Sequence, residues 1–270
     1  MSAAHDHRGR VLIVAGSDSG GGAGIQADIK AVSAMGGFAA TAVTAITVQN
    51  TLGVTGIHPV PDETVAAQMR AVLDDIGADV IKTGMLASAS LIETVASVLE
   101  AQSPRIPLVL DPVMVATSGD RLVDAAAETA LRERLLPLAD LVTPNTAEAR
   151  QLTGIEITDL HSQIEAARAL MAAGARAALI KGGHMSGDSV RDVLVSPRGL
   201  EVLERPRIET RHTHGTGCTL ASAIAARLAL GHALPDAVEA AGGYLHEAIK
   251  RAPGFGQGHG PVDHFWMLRD

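Results

Sequence analysis

Six short, almost uninterrupted apolar runs recur along the chain. They are VLIVAGS (Val11–Ser17), TAVTAITV (Thr41–Val48), ADVIKTG (Ala78–Gly84), PLVLDPV (Pro107–Val113), ADLVTPN (Ala139–Asn145) and AALIKGG (Ala177–Gly183). A strand with one face in water alternates apolar with polar residues, whereas a strand covered on both faces stays apolar throughout. Between these runs the apolar residues fall at helical spacing, over Ile25–Met35, Asp62–Ile76, Ser88–Ala101, Asp124–Leu135 and Gln163–Ala173. Buried strands alternating with helices predict an α/β fold, with a mainly parallel sheet and helices on both faces. Near residue 190 the rhythm changes. Asp192–Ser196 and Glu201–Ile208 predict a hairpin about a Pro-Arg-Gly turn, and two long helices follow, over Gly217–Leu230 and Pro235–Arg251.

No linker, low-complexity block or internal repeat interrupts the 270 residues, so the expectation is a flexible tail over residues 1–9 and one domain over residues 10–270. Aromatic residues are only 2%, so the core must be aliphatic. The formal charge of −8, with no basic run, argues against nucleic acid as a partner. One cysteine excludes an internal disulfide framework and a multi-cysteine zinc site. The N-terminal MSAAHDHRGR lacks the apolar stretch of a signal peptide, and no run of about 18 apolar residues exists to span a membrane. A cytoplasmic protein is the expectation.

Polar residues gather where the apolar runs end: Asp18, Gln49, Lys82, Asp111, Asn145 and Lys181. Open α/β sheets bind ligands at the C-terminal ends of their strands. The segment HGTGC (His214–Cys218) precedes a long Ala-rich helix. Its glycines allow a tight turn with converging amides, and the helix adds its positive end. That suits a phosphoryl group, and it predicts a thiolate at Cys218. A tight loop beside a buried cysteine is the plainer alternative.

GSDSGGGAGIQAD (Gly16–Asp28) opens the first helix, but its glycines miss the dinucleotide-binding register and no Walker A loop occurs in the chain. Backbone packed against a flat ligand is one reading, and a surface turn the other. Asp111 can hold magnesium or its waters, or simply end a strand. Asn145 and Glu148 are spaced either for a capping box or for a magnesium and phosphate site. Lys181 beside Gly182 and Gly183 can neutralise triphosphate charge. The pairs His212/His214 and His259/His264 lack metal-ligand spacing.

Taken together, AGSDSGGGAGIQADIKA, VTAITVQNTLGV, IKTGML, LDPVMVATSGD, LVTPNTAEA, IKGGH, RHTHGTGCTLASAIA and GHGPVDHF resemble the ribokinase-like kinases. Within them they are similar to the hydroxymethylpyrimidine/phosphomethylpyrimidine kinases of thiamin biosynthesis. The resemblance covers nearly the whole chain. It implies a three-layer α/β/α sandwich and use of ATP with magnesium (Mg2+). It implies two successive phosphorylations of 4-amino-5-hydroxymethyl-2-methylpyrimidine, first on its alcohol and then on the monophosphate. Pyridoxal is the alternative alcohol.

The resemblance also assigns roles. Cys218 stands where most ribokinase-like enzymes carry an aspartate base, and the amides of Gly215, Thr216 and Gly217 would hold the transferred group. Lys181, Gly183, Asn145 and Thr216 would serve ATP, with Asp111 and Glu148 on magnesium. The pyrimidine would lie between the first glycine loop and Val48-Gln49-Asn50. Gln49 would read its aminopyrimidine edge, Met85 and Val113 would line its faces, and Gly16 and Ala23 would permit its approach. Asp28 is counted with these substrate residues. A homodimer through the sheet edge or the early strands is implied as well. The hairpin at 190–209 and the loop at 116–122 are the candidate lids.

Overall fold

The computed structural model describes residues 8–114, 123–183 and 185–269. The candidate lid at 116–122, His184 and most of the proposed tail lie outside the described residues. Gly9 does not belong to a tail: its carbonyl accepts from Phe38 N at 2.9 Å, and it packs against Ala229 with no room for a Cβ.

The chain runs β1 (Arg10–Asp18), α1 (Gly24–Ala34), β2 (Phe38–Asn50), β3 (Gly53–Pro59), α2 (Asp62–Asp75), β4 (Val80–Thr83) and α3 (Ala89–Glu100). It continues through β5 (Leu108–Leu110), α4 (Ala125–Ala130) with a π-helical turn to Leu135, β6 (Leu141–Val142), α5 (Thr146–Thr153) and α6 (Leu160–Ala172). The last elements are β7 (Ala178–Ile180), β8 (Ser189–Ser196), β9 (Gly199–Pro206), α7 (Thr216–Ala229) and α8 (Leu234–Lys250). All nine strands of the described residues join one sheet, in the order β3-β2-β1-β4-β5-β6-β7-β8-β9.

The six apolar runs form the parallel centre, β2-β1-β4-β5-β6-β7. The hairpin β8–β9 extends it antiparallel at one edge, and β3 pairs antiparallel to β2 at the other. Successive residues of a strand face opposite sides, so β1 serves two cores. Leu12 and Val14 pack with α2, α3 and α6, while Val11, Ile13 and Ala15 pack with α1, α7 and α8. The architecture is therefore three layers, helix on sheet on helix. Strand β3 escapes the sequence reading because it lies at an exposed edge and carries no fully covered apolar run.

Candidate active site

One cavity of about 570 Å3 opens at the C-terminal ends of the parallel strands. Topology puts it there: each strand delivers its last polar residue to the same edge, and α7 points its N-terminus at that edge. The cavity has two chemically distinct ends.

At one end charges are packed out of solvent. Lys181, just after β7, places Nζ 3.3 Å from Asp111 Oδ1 and 3.8 Å from Glu148 Oε2. Burial works against its charge, but Asp111 and then Glu148 outweigh it and raise its pKa. Burial pushes Glu148 well above the ordinary carboxylate range, reinforced by Asp111 and opposed by Lys181. Glu148 also completes a capping box on α5: it accepts from Asn145 N at 2.7 Å, and Asn145 Oδ1 accepts from Glu148 N at 2.9 Å. The capping and site readings of this segment are thus compatible, since one carboxylate oxygen caps while the group stays beside Lys181.

Beneath Asp111 lies Lys82, wholly buried, with Nζ 2.8 Å from Asp28 Oδ1 and 3.9 Å from Asp111 Oδ2. Ser222 donates to the same Asp28 oxygen at 2.6 Å. Burial lifts the pKa of Asp28, while Lys82, despite burial, is raised by Asp28 and its other acidic neighbours. The short contact and the serine donor favour the ionised pair. Asp111 Oδ2 is buried without a hydrogen-bond partner.

The turn before α7 joins the two ends. Gly215 adopts φ +78°, and a Cβ there would come within 1.8 Å of Gly22 O, so only glycine fits. Gly217 sits so close to Lys181 that a Cβ would lie 3.2 Å from Nζ. The first N–H groups of α7 thereby face a lysine ammonium across the cavity, a ready anion site. Cys218 lines the cavity beside them. Its pKa moves opposite to the expected thiolate: burial pushes it up to about 12, opposed by Lys82 and the Gly24 amide and reinforced by Asp28 and Asp111. The sequence reading considered only the helix terminus, whereas desolvation and two carboxylates act on the same sulfur.

The other end is built from neutral groups around a carboxylate–histidine contact. Asp18, at the end of β1, accepts from the amides of Gly20, Gly22 and Ala23 and lies 2.9 Å from His214 Nε2. The carboxamide of Gln49 spans from Thr47 Oγ1 at 3.2 Å to His214 Nε2 at 3.3 Å. Gly16, Ala23, Met85 and Val113 line the space in front of it. A Cβ at Gly16 would lie 2.7 Å from Met85 Cε and push the end of that side chain aside.

Most expected residues therefore share one cavity, including Thr216, Gly183 and Asn145 at the charged end. Two do not. Asp28 is fully buried against Lys82 and cannot touch a ring in the cavity. Val48 points away: on a strand it faces opposite to Gln49, and it is 63% exposed on the outer surface. Two residues were missed as a unit, Asp18 and His214. The glycine loop that folds three amides onto Asp18 was visible, but its histidine partner lies 196 residues on.

The candidate carboxylates for magnesium are Asp111 and Glu148. The buried Oδ2 of Asp111, which accepts no hydrogen bond, fits a role toward a cation. Among the described residues no group of three or more His, Cys, Asp or Glu could hold a metal by itself. Magnesium takes one or two carboxylates and completes its shell with phosphate and water. No helix among the described residues is long and apolar enough to cross a membrane.

Comparison with known proteins agrees with this geometry. The chain is 51% identical, over 96% of its length and 95% of the relative's, to a hydroxymethylpyrimidine/phosphomethylpyrimidine kinase of Streptomyces coelicolor. It is 52% identical over 97% of its length to a thiamine biosynthesis bifunctional protein of Geobacter sulfurreducens, and spans about half (54%) of that longer protein. Its fold matches an ADP complex of Bacillus subtilis pyridoxal kinase with a TM-score of 0.90 at 37% identity, covering 97% of this chain and all of that one. The phosphomethylpyrimidine kinase family profile matches residues 18–263, and the chain belongs to that family.

Proposed function

We propose that the chain moves the γ-phosphoryl group of ATP to the hydroxymethyl oxygen of 4-amino-5-hydroxymethyl-2-methylpyrimidine, and then a second such group to the monophosphate so formed. The observation that carries this reading is the two-ended cavity, with Lys181 and the α7 N-terminus at one end and the Gln49 carboxamide at the other. A carboxamide offers a donor beside an acceptor, which matches a ring nitrogen beside an amino group. Pyridoxal is the second reading, favoured by the likeness to the Bacillus enzyme.

In each step an oxygen–phosphorus bond forms to the alcohol or phosphate oxygen, the bond to ADP breaks, and in the first step the hydroxyl proton passes to an oxygen of the transferred phosphoryl group. Lys181 and the amides of Gly215, Thr216 and Gly217 hold the moving group and its negative charge. Asn145 and Gly183 line the nucleotide side. Asp111 and Glu148 would hold magnesium, which would supply positive charge to the phosphates when bound. Cys218, protonated at rest, positions the alcohol oxygen. A loose transition state needs little base assistance, since the hydroxyl becomes acidic as its new bond forms.

The test uses magnesium ATP with the pyrimidine alcohol, its monophosphate and pyridoxal, with products followed by mass. Conversion of both pyrimidines, and a fall of roughly a hundred-fold or more in Cys218→Ala, is the expected result. Turnover of pyridoxal alone would sink the substrate assignment.

The same proposal includes a homodimer and work in the cytoplasm. Ile46 and Val48 stand exposed on one face of β2, and Leu52 is exposed in the turn to β3. Such a face is covered in a stable oligomer. Light scattering should give twice the 27.8 kDa chain mass. A monomer by that measurement would remove the dimer, and a tagged chain that fractionates with membranes would remove the location.

A further inference from the structure

The carboxamide of Gln49 has two ends of nearly equal shape, and its neighbours decide which atom sits at which end. At one end is Thr47 Oγ1, which also lies 2.8 Å from Ser17 O. A hydroxyl carries one proton and a carbonyl only accepts, so that proton goes to Ser17. Thr47 then turns lone pairs toward Gln49 and needs a donor there, the amide NH2.

At the other end is His214 Nε2, which also lies 2.9 Å from Asp18 Oδ2. Burial works against the charge of Asp18, but the hydrogen bond from His214 and the amides of Ala23 and Gly20 outweigh it and hold its pKa below the ordinary range. An ionised carboxylate only accepts, so His214 Nε2 carries a proton in either charge state of the ring. Gln49 must then present oxygen to it. The opposite arrangement, Oε1 at Thr47 and Nε2 at His214, asks one hydroxyl proton to serve two acceptors and sets two N–H groups against each other. Exchanging oxygen and nitrogen lets Thr47 accept from the NH2 and turns an acceptor toward the His214 Nε2–H, which stays bonded to Asp18, without moving an atom.

We infer that Thr47 and the His214–Asp18 pair lock Gln49 with its oxygen toward His214 and its NH2 toward Thr47, and that this lock selects an aminopyrimidine alcohol over pyridoxal. The inference rests on the pyrimidine kinase reading and goes beyond it. Counted from the carbon that bears the hydroxymethyl group, the aminopyrimidine presents an amino donor and then a ring-nitrogen acceptor. Pyridoxal presents an aldehyde, an acceptor, at the first of these positions. His214 runs directly into the Gly215–Cys218 turn, so the His214 end of the amide is the end beside the reacting carbon. The locked oxygen there accepts from the amino group, and the NH2 beyond it donates to the ring nitrogen. Against pyridoxal the same oxygen meets the aldehyde oxygen, acceptor against acceptor. To suit pyridoxal the amide must flip and lose both Thr47 and His214.

The experiment is Thr47→Val, which keeps the shape and removes the hydroxyl. kcat/KM is measured for the pyrimidine alcohol and for pyridoxal at saturating magnesium ATP. The freed amide should raise the pyridoxal-to-pyrimidine ratio roughly ten-fold, the worth of one polar contact. Thr47→Ser, which restores the hydroxyl, should return the ratio to that of the parent. General loosening would lower both activities and leave the ratio unmoved. Asp18→Asn should shift the ratio in the same direction and serves if Thr47→Val does not fold. A parent that prefers the pyrimidine, with the ratio unchanged in both variants, overturns the lock alone. A parent that prefers pyridoxal, or turns over neither alcohol, overturns the kinase reading and the lock with it.

Discussion

The two ends of the cavity bind by different physics. At the phosphate end five ionisable groups, Lys82, Asp28, Asp111, Lys181 and Glu148, are held out of solvent in an alternating chain of charge. At the ring end the hydrogen bond between His214 and Asp18 supports a neutral amide. Charge in a poorly polarisable interior acts over several ångströms and tolerates small displacements. A neutral hydrogen bond fails within tenths of an ångström and depends on which partner carries the proton. The first end is therefore suited to supply rate, and the second to supply choice.

The largest expected effect breaks the charged end from below. Lys82→Met leaves Asp28 and Asp111 without their buried cation, and removing one partner of such a pair costs about 3–5 kcal/mol. Denaturant unfolding should show that loss. A stability near that of the parent would mean that the lysine is not the counter-charge its position implies. Next comes Lys181→Met, in which kcat should fall roughly a thousand-fold while KM for the pyrimidine stays near the parent value. A rise in that KM with kcat intact would erase the division between the two ends.

Legibility in the sequence follows the same division. Lys181, Asp111 and Glu148 stand at strand ends, and a local rule about α/β sheets finds them. The sheet centre was legible because fully covered strands announce themselves, whereas β3 at the edge does not. Val48 was misplaced although the strand period, which sets it opposite Gln49, was available. Asp28 could not be placed at all. Nothing local tells a helix carboxylate facing a ligand from one facing Lys82, 54 residues further on. The ring end depends on such distant meetings, since His214 reaches Gln49 from 165 residues away.

Cys218 stands where the two ends meet, and its protonation state gives a smaller, sharper test. With a pKa pushed up to about 12, the thiol should resist iodoacetamide at pH 8 by more than about a hundred-fold relative to a free cysteine. The rate should climb as pH rises toward the unfolding limit, because only thiolate reacts. Rapid, pH-independent alkylation near neutrality would restore the thiolate and make Cys218 a general base. Mass spectrometry of the single cysteine reads this without any assay of turnover.

The smallest expected effect belongs to the ring end. Gln49→Ala removes both contacts to the aminopyrimidine edge but no charge, so KM for the pyrimidine should rise roughly ten- to thirty-fold. KM for ATP should not move, because no phosphate-binding group touches the amide. Nor should the fold weaken much, since Gln49 is only partly buried and His214 keeps its stronger contact with Asp18. If the ends are independent, Gln49→Ala and Lys181→Met will combine additively in kcat/KM, as separated sites do. Strong non-additivity would mean that the Gly215–Cys218 turn transmits the state of one end to the other, and that choice and rate are one property of this cavity.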